Sequence, residues 1–408
     1  MRPTFDPLTL LQKYILVGIV ALAAAGFYVL RNLNGIAQMP LNAHLDIATF
    51  YAAAEAVFNG MSSPYSLAVL KVFKPDTVLH LFPFLYAPSA LPFFWPLAGH
   101  DFASVYNLTL YGNAVLILLL ITGLAIWTVR LSGSLIAGLL MVPLLTEGSR
   151  SLWATLFYGQ INLVLAFLLL GALWALVRRW QLTAGVLLGI TITLKIYPAL
   201  LLPWLALRRD WKALGAALGT IAGLALLTWV WLPHYLWSEW LDKIVLAGGY
   251  GSVPQGFPIT VADKSNINLI GMLTRSLGDS VAVKLVAYGS ALTLAAIAII
   301  SAYKRPHCTT AHYASLLWLT LLVAPLTWLS HLSYVLFAVV WFVAMAWRDR
   351  QFIWALIFAA VYGVLPQLTM QEHDIPLWQQ NAPVAGLLLL WGMMQFQIWR
   401  RPAGQAVT

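Results

Sequence analysis

Asp46, in HLDIATFYAAAEAVFNG, and Lys195, in GVLLGITITLKIYPALLLPWLAL, are the charged side chains whose settings point most directly to chemistry. A carboxylate at the start of a helix just after the first apolar segment can take a proton from a hydroxyl at a membrane surface, given hydrogen-bond reach. The same position suits an N-cap, where the carboxylate accepts the helix's own free N–H groups and faces the positive end of its dipole. The two roles are compatible. Lys195 interrupts an apolar run, and a cation there is expensive unless it is partnered or faces a wet cavity. Near an interface it supplies a point charge for a phosphate group; the plainer reading is a lysine that snorkels and anchors a helix end. Pro198 marks a break just beyond it, which favours the phosphate reading.

Carboxamides form the next group. Gln160 and Asn162 in LFYGQINLVL, and Asn266 and Asn268 in KSNINLIG, stand at the mouths of apolar segments, where they suit either sugar hydroxyls or helix caps. His331 and Tyr334, in WLSHLSYVLF, fall in a short outer turn; His331 would bind phosphate when protonated or orient a donor, and the plainer reading of an interfacial histidine is structural. Glu147 and Arg150, in LTEGSRSLW, read first as a local ion pair. No Walker loop, dinucleotide fingerprint, HExxH or GxSxG occurs. The first outer loop has no Asp-x-Asp pair, so a metal-bridged substrate lacks support, and no cofactor or metal is expected. Cys308, the single cysteine, rules out a disulfide framework and a thiolate metal site.

The elements that must hold these residues are membrane helices. Hydrophobic residues make up 61% of the 408 positions and charged ones 9%, against about 25% charged in soluble domains. Apolar runs recur from Tyr14 to Trp399 without a polar interruption of domain size, so residues 1–408 read as one membrane domain. The net charge of +9 sits in pairs at the ends of these runs: Arg178/Arg179, Arg208/Arg209, Lys304/Arg305, Arg348/Arg350 and Arg400/Arg401. That pattern marks cytoplasmic ends under the positive-inside rule and speaks against a nucleic-acid partner. The first run lacks a small-residue cleavage site and reads as a retained helix.

Thirteen apolar segments are candidates: 12–30, 84–98, 102–129, 134–147, 160–177, 182–194, 196–207, 213–232, 281–302, 313–329, 333–347, 352–369 and 382–398. Cytoplasmic charge at both ends requires an even number of crossings, so about twelve are expected, some of them short or re-entrant. The segment 134–147 and the pair meeting at Lys195 are the suspects; positive charge on both flanks of the pair favours two short helices with Lys195 at the outer turn. Two long loops, 31–83 and 233–280, fall outside and are expected to be functional. The first holds a helix over 47–58 with one apolar face, placed in the membrane interface. The acidic residues gather outside as well, at Asp46, Glu55, Asp76, Glu239, Asp242, Asp263, Asp279, Glu372 and Asp374. No repeat relates the two halves, which weakens a transporter built from inverted repeats.

The ordered series LDIATFYAAAEAVFNG, SSPYS, FLYAPSALPFFWPLA, YGQINLVLAFLLLGAL, AGVLLGITITLKIYPALLLPWLALRR, SNINLIG and SHLSY resembles the polyprenol-phosphate-mannose-dependent mannosyltransferases of GT-C fold. That family includes the mycobacterial phosphatidylinositol-mannoside mannosyltransferases, and the resemblance runs from Asp46 to Tyr334. It implies inverting transfer of a sugar, typically mannose, from a polyprenyl phosphate carrier to a lipid or glycan hydroxyl on the outer side of the cytoplasmic membrane. Asp46 falls at the family's first-loop aspartate and would be the general base. Lys195 to Pro198 matches its Lys-x-x-Pro pattern and Gly159 to Asn162 its Gly-Gln-x-Asn pattern. SNINLIG is a looser form of the family's asparagine-rich motif, and SHLSY carries a single histidine. On this reading Lys195, His331 and Arg150 bind the donor phosphate, while Tyr86, Gln160, Asn162, Asn266, Asn268 and Tyr334 contact sugar or acceptor. The rival is a transporter or flippase of a lipid-linked sugar, which would line a path through the bilayer with ionisable groups.

Overall fold

Backbone groups inside a bilayer find no water and must satisfy one another, which favours helices for a chain this apolar. The computed structural model describes residues 8–39, 45–79, 81–246, 251–253, 259–368 and 375–400, and among them there is no strand. Glu372, Asp374 and Arg401 lie outside the described residues. Helix α1 (Leu10–Ala37) opens on Thr9, whose hydroxyl accepts from the Gln12 amide while the Gln12 side chain accepts from the Thr9 amide. The first long connection carries α2 (Asp46–Ala54), which runs into a π turn over Glu55–Asn59, then α3 (Leu67–Val72) and α4 (Leu91–Phe94). Next come α5 (Phe102–Ser132), α6 (Leu135–Thr146), α7 (Arg150–Tyr158), α8 (Asn162–Val177) and α9 (Gln181–Leu194). A 3-10 turn over Tyr197–Leu200 leads into α10 (Leu201–Leu207), followed by α11 (Trp211–Trp231). The second long connection holds α12 (Tyr235–Trp240) and α13 (Leu269–Leu277). The chain closes with α14 (Val281–Lys304), α15 (Thr309–Val323), a 3-10 turn over Leu329–Val335, α16 (Leu336–Arg348), α17 (Phe352–Leu368) and α18 (Leu377–Trp399).

Six spans are long and apolar enough to cross a membrane unaided: α1, α5, α11, α14, the run Leu329–Arg348 and α18. A seventh arises if α6 and α7, bent by 44° at their junction, count as one. α8, α9, the run Tyr197–Leu207, α15 and α17 are apolar but shorter. The expected segment 84–98 is not one helix. It breaks into a 3-10 turn at Pro88–Ala90, the single turn of α4 and a second 3-10 turn at Trp95–Leu97. Pro88, Pro92 and Pro96 are the cause, because each lacks an amide proton and crowds the preceding turn. The suspected segment 134–147 becomes α6, one half of the bent pair, and six or seven spans cross unaided where about twelve crossings were expected. The two short helices expected around Lys195 are present: α9 stops at Leu194 and Lys195 is extended, with φ −155° and ψ 118°.

Helix α2 is more deeply set than a helix lying in the interface on one apolar face. Ile47, Ala48, Thr49, Phe50, Ala52, Ala53 and Ala54 are all buried. Its alanines allow α4 and α5 to close around it.

Among the described residues, basic side chains from several of these runs meet at one end of the bundle. Arg208 donates to the Thr309 hydroxyl at the start of α15 and pairs with Asp210 at 2.7 Å. Arg305 donates to the Trp399 carbonyl at 3.1 Å, and Lys13 to the Gly133 carbonyl at 3.1 Å. Counted from that end, α8, α9 and α15 are 16, 14 and 15 residues long. Their rise is therefore about 21–24 Å, short of the ~30 Å hydrocarbon core. The tips of α8 and α9 meet through Asn162 and Lys195 in a shared floor, while α1, α5 and α14 are longer, at 28, 31 and 24 residues.

Close contact between α9 and α11 sets the position of Lys195. Gly185 and Gly189 face α11 at a small-xxx-small spacing, which lets two backbones approach. A Cβ at Gly185 would overlap the Ala213 carbonyl, and one at Gly189 would stand 2.7 Å from the Ala217 carbonyl. Gly185→Val is expected to cost about 1–3 kcal/mol and to lower the thermal unfolding temperature in detergent. Gly219→Val, on α11 with no atom near its position, is the control. Equal losses in the two variants would mean that this contact does not hold α9.

Candidate active site

Asp46 is the first helical residue of α2, not its cap; Leu45 occupies the cap position, and no side chain there bonds the helix amides. The Asp46 carboxylate turns away from its own helix, and its Oδ2 accepts from the Gln160 side-chain nitrogen. Gln160 reaches it because α7 ends on Gly159 in the left-handed region, at φ +65°, a conformation open to glycine at little cost. The same glycine lies against Ile47: a Cβ would stand 2.7 Å from the Ile47 side chain. Asn113 of α5 donates to the Gln160 carbonyl at 3.2 Å and fixes that main chain.

The bonds continue across the floor. Gln160 Oε1 accepts from Asn162 Nδ2, and Asn162 Oδ1 accepts from the Lys195 ammonium at 3.0 Å. Asn162 Nδ2 also donates to the Ser330 carbonyl at 3.0 Å. Asp46 and Lys195 are thus joined through two carboxamides, across α2, α8 and the hinge between α9 and α10. The Lys195 ammonium lies 5.6 Å from the centre of the Tyr197 ring and 5.9 Å from that of Tyr334, both within range of cation–π attraction. Of its three N–H donors, one meets Asn162, and no hydrogen bond to the others occurs among the described residues.

His331 and Tyr334 share this floor and are buried. The His331 ring packs edge-on against Tyr197 at 5.6 Å, and its Nδ1 accepts the Trp328 amide at 3.3 Å. The proton of a neutral ring therefore sits on Nε2, which makes His331 a hydrogen-bond donor without a charge. Tyr86 packs edge-on against Phe50 of α2 at 5.2 Å, and Tyr65 donates to its carbonyl at 2.8 Å. Its phenol is held above the usual range by burial and then by the charge of Asp46.

Burial pushes the Asp46 carboxyl up to about 6, against the opposing Gln160 bond and the charge of Lys195. Burial pushes the Lys195 ammonium, in its hinge, down to about 7, against the attraction of Asp46. A carboxylate raised toward neutrality is suited to proton removal. An ammonium with unused donors is suited to a phosphate. Among the described residues no three His, Cys, Asp or Glu side chains converge as metal ligands do.

Arg150, Glu147, Asn266 and Asn268 are engaged elsewhere. Arg150 opens α7 and donates to Gln367 at 3.1 Å; the helix of about 13 Å separates it from Gln160. Glu147 pairs with Arg31 at 2.9 Å rather than with Arg150. Asn266 donates to the Val261 carbonyl at 2.9 Å and accepts the Thr327 amide at 2.9 Å. Asn268 caps α13 through the Gly271 amide at 2.9 Å and donates to the Ala324 carbonyl at 2.6 Å. Both are fully buried, and they tie the second long connection to the turn that leads into His331. Tyr197 was not among the expected site residues, although it links Lys195 to His331 and donates to the Leu326 carbonyl at 2.9 Å. Its sequence signal was its place in KIYP, two residues from the lysine.

The profile of glycosyltransferase family 87 matches residues 84–327. That span contains Tyr86, Gln160, Asn162 and Lys195, with Asp46 and His331 on either side of it. A polyprenol-phosphate-mannose-dependent α-(1-2)-phosphatidylinositol mannoside mannosyltransferase of Mycobacterium tuberculosis is 28% identical over 333 residues, covering 76% of this chain and 74% of the relative. A protein of the same description from Mycolicibacterium smegmatis is 29% identical over 243 residues, 55% of this chain and 52% of its own. No solved structure matches the chain significantly.

The Gly159 contact leads to a direct test of how the site is held. Gly159→Ala combines a left-handed φ with a side chain pressed into Ile47, and is expected to cost about 1–3 kcal/mol. Thermal unfolding in detergent would read this as a lower midpoint. An unchanged midpoint would mean that α7 and α2 do not meet closely at this point.

Proposed function

Because the chain belongs to glycosyltransferase family 87, we propose that it transfers mannose from a polyprenyl phosphate carrier to a hydroxyl of a lipid or glycan acceptor. The donor class follows the two mycobacterial relatives, which are described as polyprenol-phosphate-mannose-dependent. The observation that carries the reading is a carboxylate and an ammonium on one floor, Asp46 and Lys195, joined through Gln160 and Asn162.

The acceptor oxygen attacks the anomeric carbon from the face opposite the phosphate. The bond from that carbon to the phosphate oxygen breaks, and the polyprenyl phosphate leaves with the electron pair. The acceptor proton passes to Asp46. One displacement inverts the anomeric centre and requires one carboxylate, whereas double displacement needs a second as nucleophile. No carboxylate among the described residues acts electrostatically on Asp46, which supports inversion. The leaving phosphate needs its charge met rather than a dedicated acid. Lys195 meets it, with the Nε2 proton of His331 as a further donor, and the step uses no metal.

The basic ends of α8, α10, α14 and α16 lie opposite the floor, which supports an active site on the outer side of a cytoplasmic membrane. The carrier's tail stays in the bilayer while its sugar phosphate enters the recess. A flippase of lipid-linked sugars would instead open the site to both faces.

Asp46→Asn is expected to lower turnover by about 10²–10⁴ in a transfer assay with polyprenyl-phosphate mannose. Lys195→Ala is expected to raise the donor KM by about tenfold or more. Wild-type rates in folded Asp46→Asn protein would remove the base from this residue, and unchanged donor kinetics in Lys195→Ala would move the phosphate site.

The pH dependence has two limbs. Asp46 must be ionised to accept a proton, so kcat/KM falls as the pH drops through about 6. Lys195 must be protonated to hold the phosphate, so kcat/KM for the donor falls as the pH rises through about 7. Once bound, the phosphate retains the ammonium's proton, and the profile of kcat is expected to lose its alkaline limb. An alkaline limb of equal position in kcat and kcat/KM would contradict the role of Lys195.

A further inference from the structure

Gln160 and Asn162 read from sequence as sugar contacts, but their bonds leave little for a sugar. Asn162 is fully buried. Its two N–H donors go to Gln160 Oε1 and the Ser330 carbonyl, and its oxygen accepts from Lys195. Its orientation is unambiguous, since a main-chain carbonyl only accepts and an ammonium only donates. The oxygen must face Lys195 and the nitrogen must face Ser330.

That choice propagates. With Asn162 Nδ2 pointing at it, Gln160 must present Oε1 to Asn162 and Nε2 to Asp46. Asp46 Oδ2 then receives an N–H, whereas Oδ1 receives no hydrogen bond among the described residues. One oxygen of the carboxylate is held and the other is left for an incoming hydroxyl.

We infer that Gln160 and Asn162 are positioning residues: a polarised carboxamide pair, oriented by the Ser330 carbonyl and the Lys195 ammonium, which holds Asp46 by one oxygen and presents the other to the acceptor. This rests on the transferase reading above, in which Asp46 is the base. The pair also couples the two halves of the site, because the residue that orients Gln160 is the one that partners Lys195. Neither carboxamide touches substrate in this role.

The test is the acidic limb of kcat/KM in Gln160→Leu and Gln160→Glu, measured with polyprenyl-phosphate mannose and a hydroxyl acceptor. Losing the donated N–H withdraws support from the ionised carboxylate, so the limb moves to higher pH by about one unit in Gln160→Leu. Gln160→Glu sets two carboxylates together and moves it further in the same direction. Either variant suffices if the other does not fold. A sugar-contact role would raise KM and leave the limb in place, and a purely structural role would lower the yield of folded enzyme and leave the limb in place; both results overturn the inference. The two failures are separable. If Asp46→Asn is inactive and the limb does not move in the Gln160 variants, only the positioning role falls. If Asp46→Asn keeps its activity and its limb, the base assignment falls, and the positioning role with it.

Discussion

An ammonium at the tip of a short apolar helix is stable only where other groups replace the water it has lost, and much of the floor is arranged around that requirement at Lys195. The Asn162 oxygen accepts one of its protons, and the rings of Tyr197 and Tyr334 face its charge. Asn162 is in turn fixed by the Ser330 carbonyl, so the turn over Leu329–Val335 must lie against the start of α8. The same turn meets α7 through the hydroxyls of Thr155 and Ser333, 3.1 Å apart. Asp46 enters this network at its far end. Its carboxylate and the Lys195 ammonium stabilise each other's charge through the carboxamides without forming a direct ion pair, which would leave neither free for a substrate.

The difference in helix length gives the site its depth. Helices α8, α9 and α15 rise about 21–24 Å from the basic end, whereas α5 has 31 residues and α1 has 28. Tips this short leave Asn162 and Lys195 deeper than the ends of the long helices, and on the proposed reading a substrate whose tail remains in lipid reaches them there. On the proposed reading this geometry suits a lipid-linked donor better than a soluble nucleotide sugar, because a carrier anchored in the bilayer is already held beside the site. Gly185 and Gly189 maintain the arrangement by letting α9 rest directly on α11.

Much of this was readable in the residues themselves, and what was not has definite causes. Lys195 stood out because a charge in an apolar run has few inexpensive explanations, and Pro198 beside it marked the hinge. The segment 84–98 was misread because hydropathy does not register that Pro88, Pro92 and Pro96 each remove an amide from the helix. Asp46 could be read as a cap or a base because both begin with a carboxylate at a helix start; the cap falls away only because Leu45 takes that position and Gln160, 114 positions away in sequence, takes the carboxylate. Asn266 and Asn268 had the composition of sugar ligands, yet backbone groups from a distant turn occupy them. Arg150 had the right charge on the wrong end of α7. Side-chain type and local spacing thus located the floor, while the partners that decide each role came from elements far apart in the chain.

The central claim is that one recess holds the sugar donor between Lys195 and Asp46. A cryo-EM structure with a non-transferable polyprenyl-phosphate mannose analogue bound tests it most directly. The account predicts the phosphate within hydrogen-bond distance of Lys195 Nζ, with Asp46 Oδ1 on the face of the anomeric carbon opposite the phosphate. A phosphate bound away from Lys195, or an anomeric carbon with Asp46 on the same side as the phosphate, would contradict it.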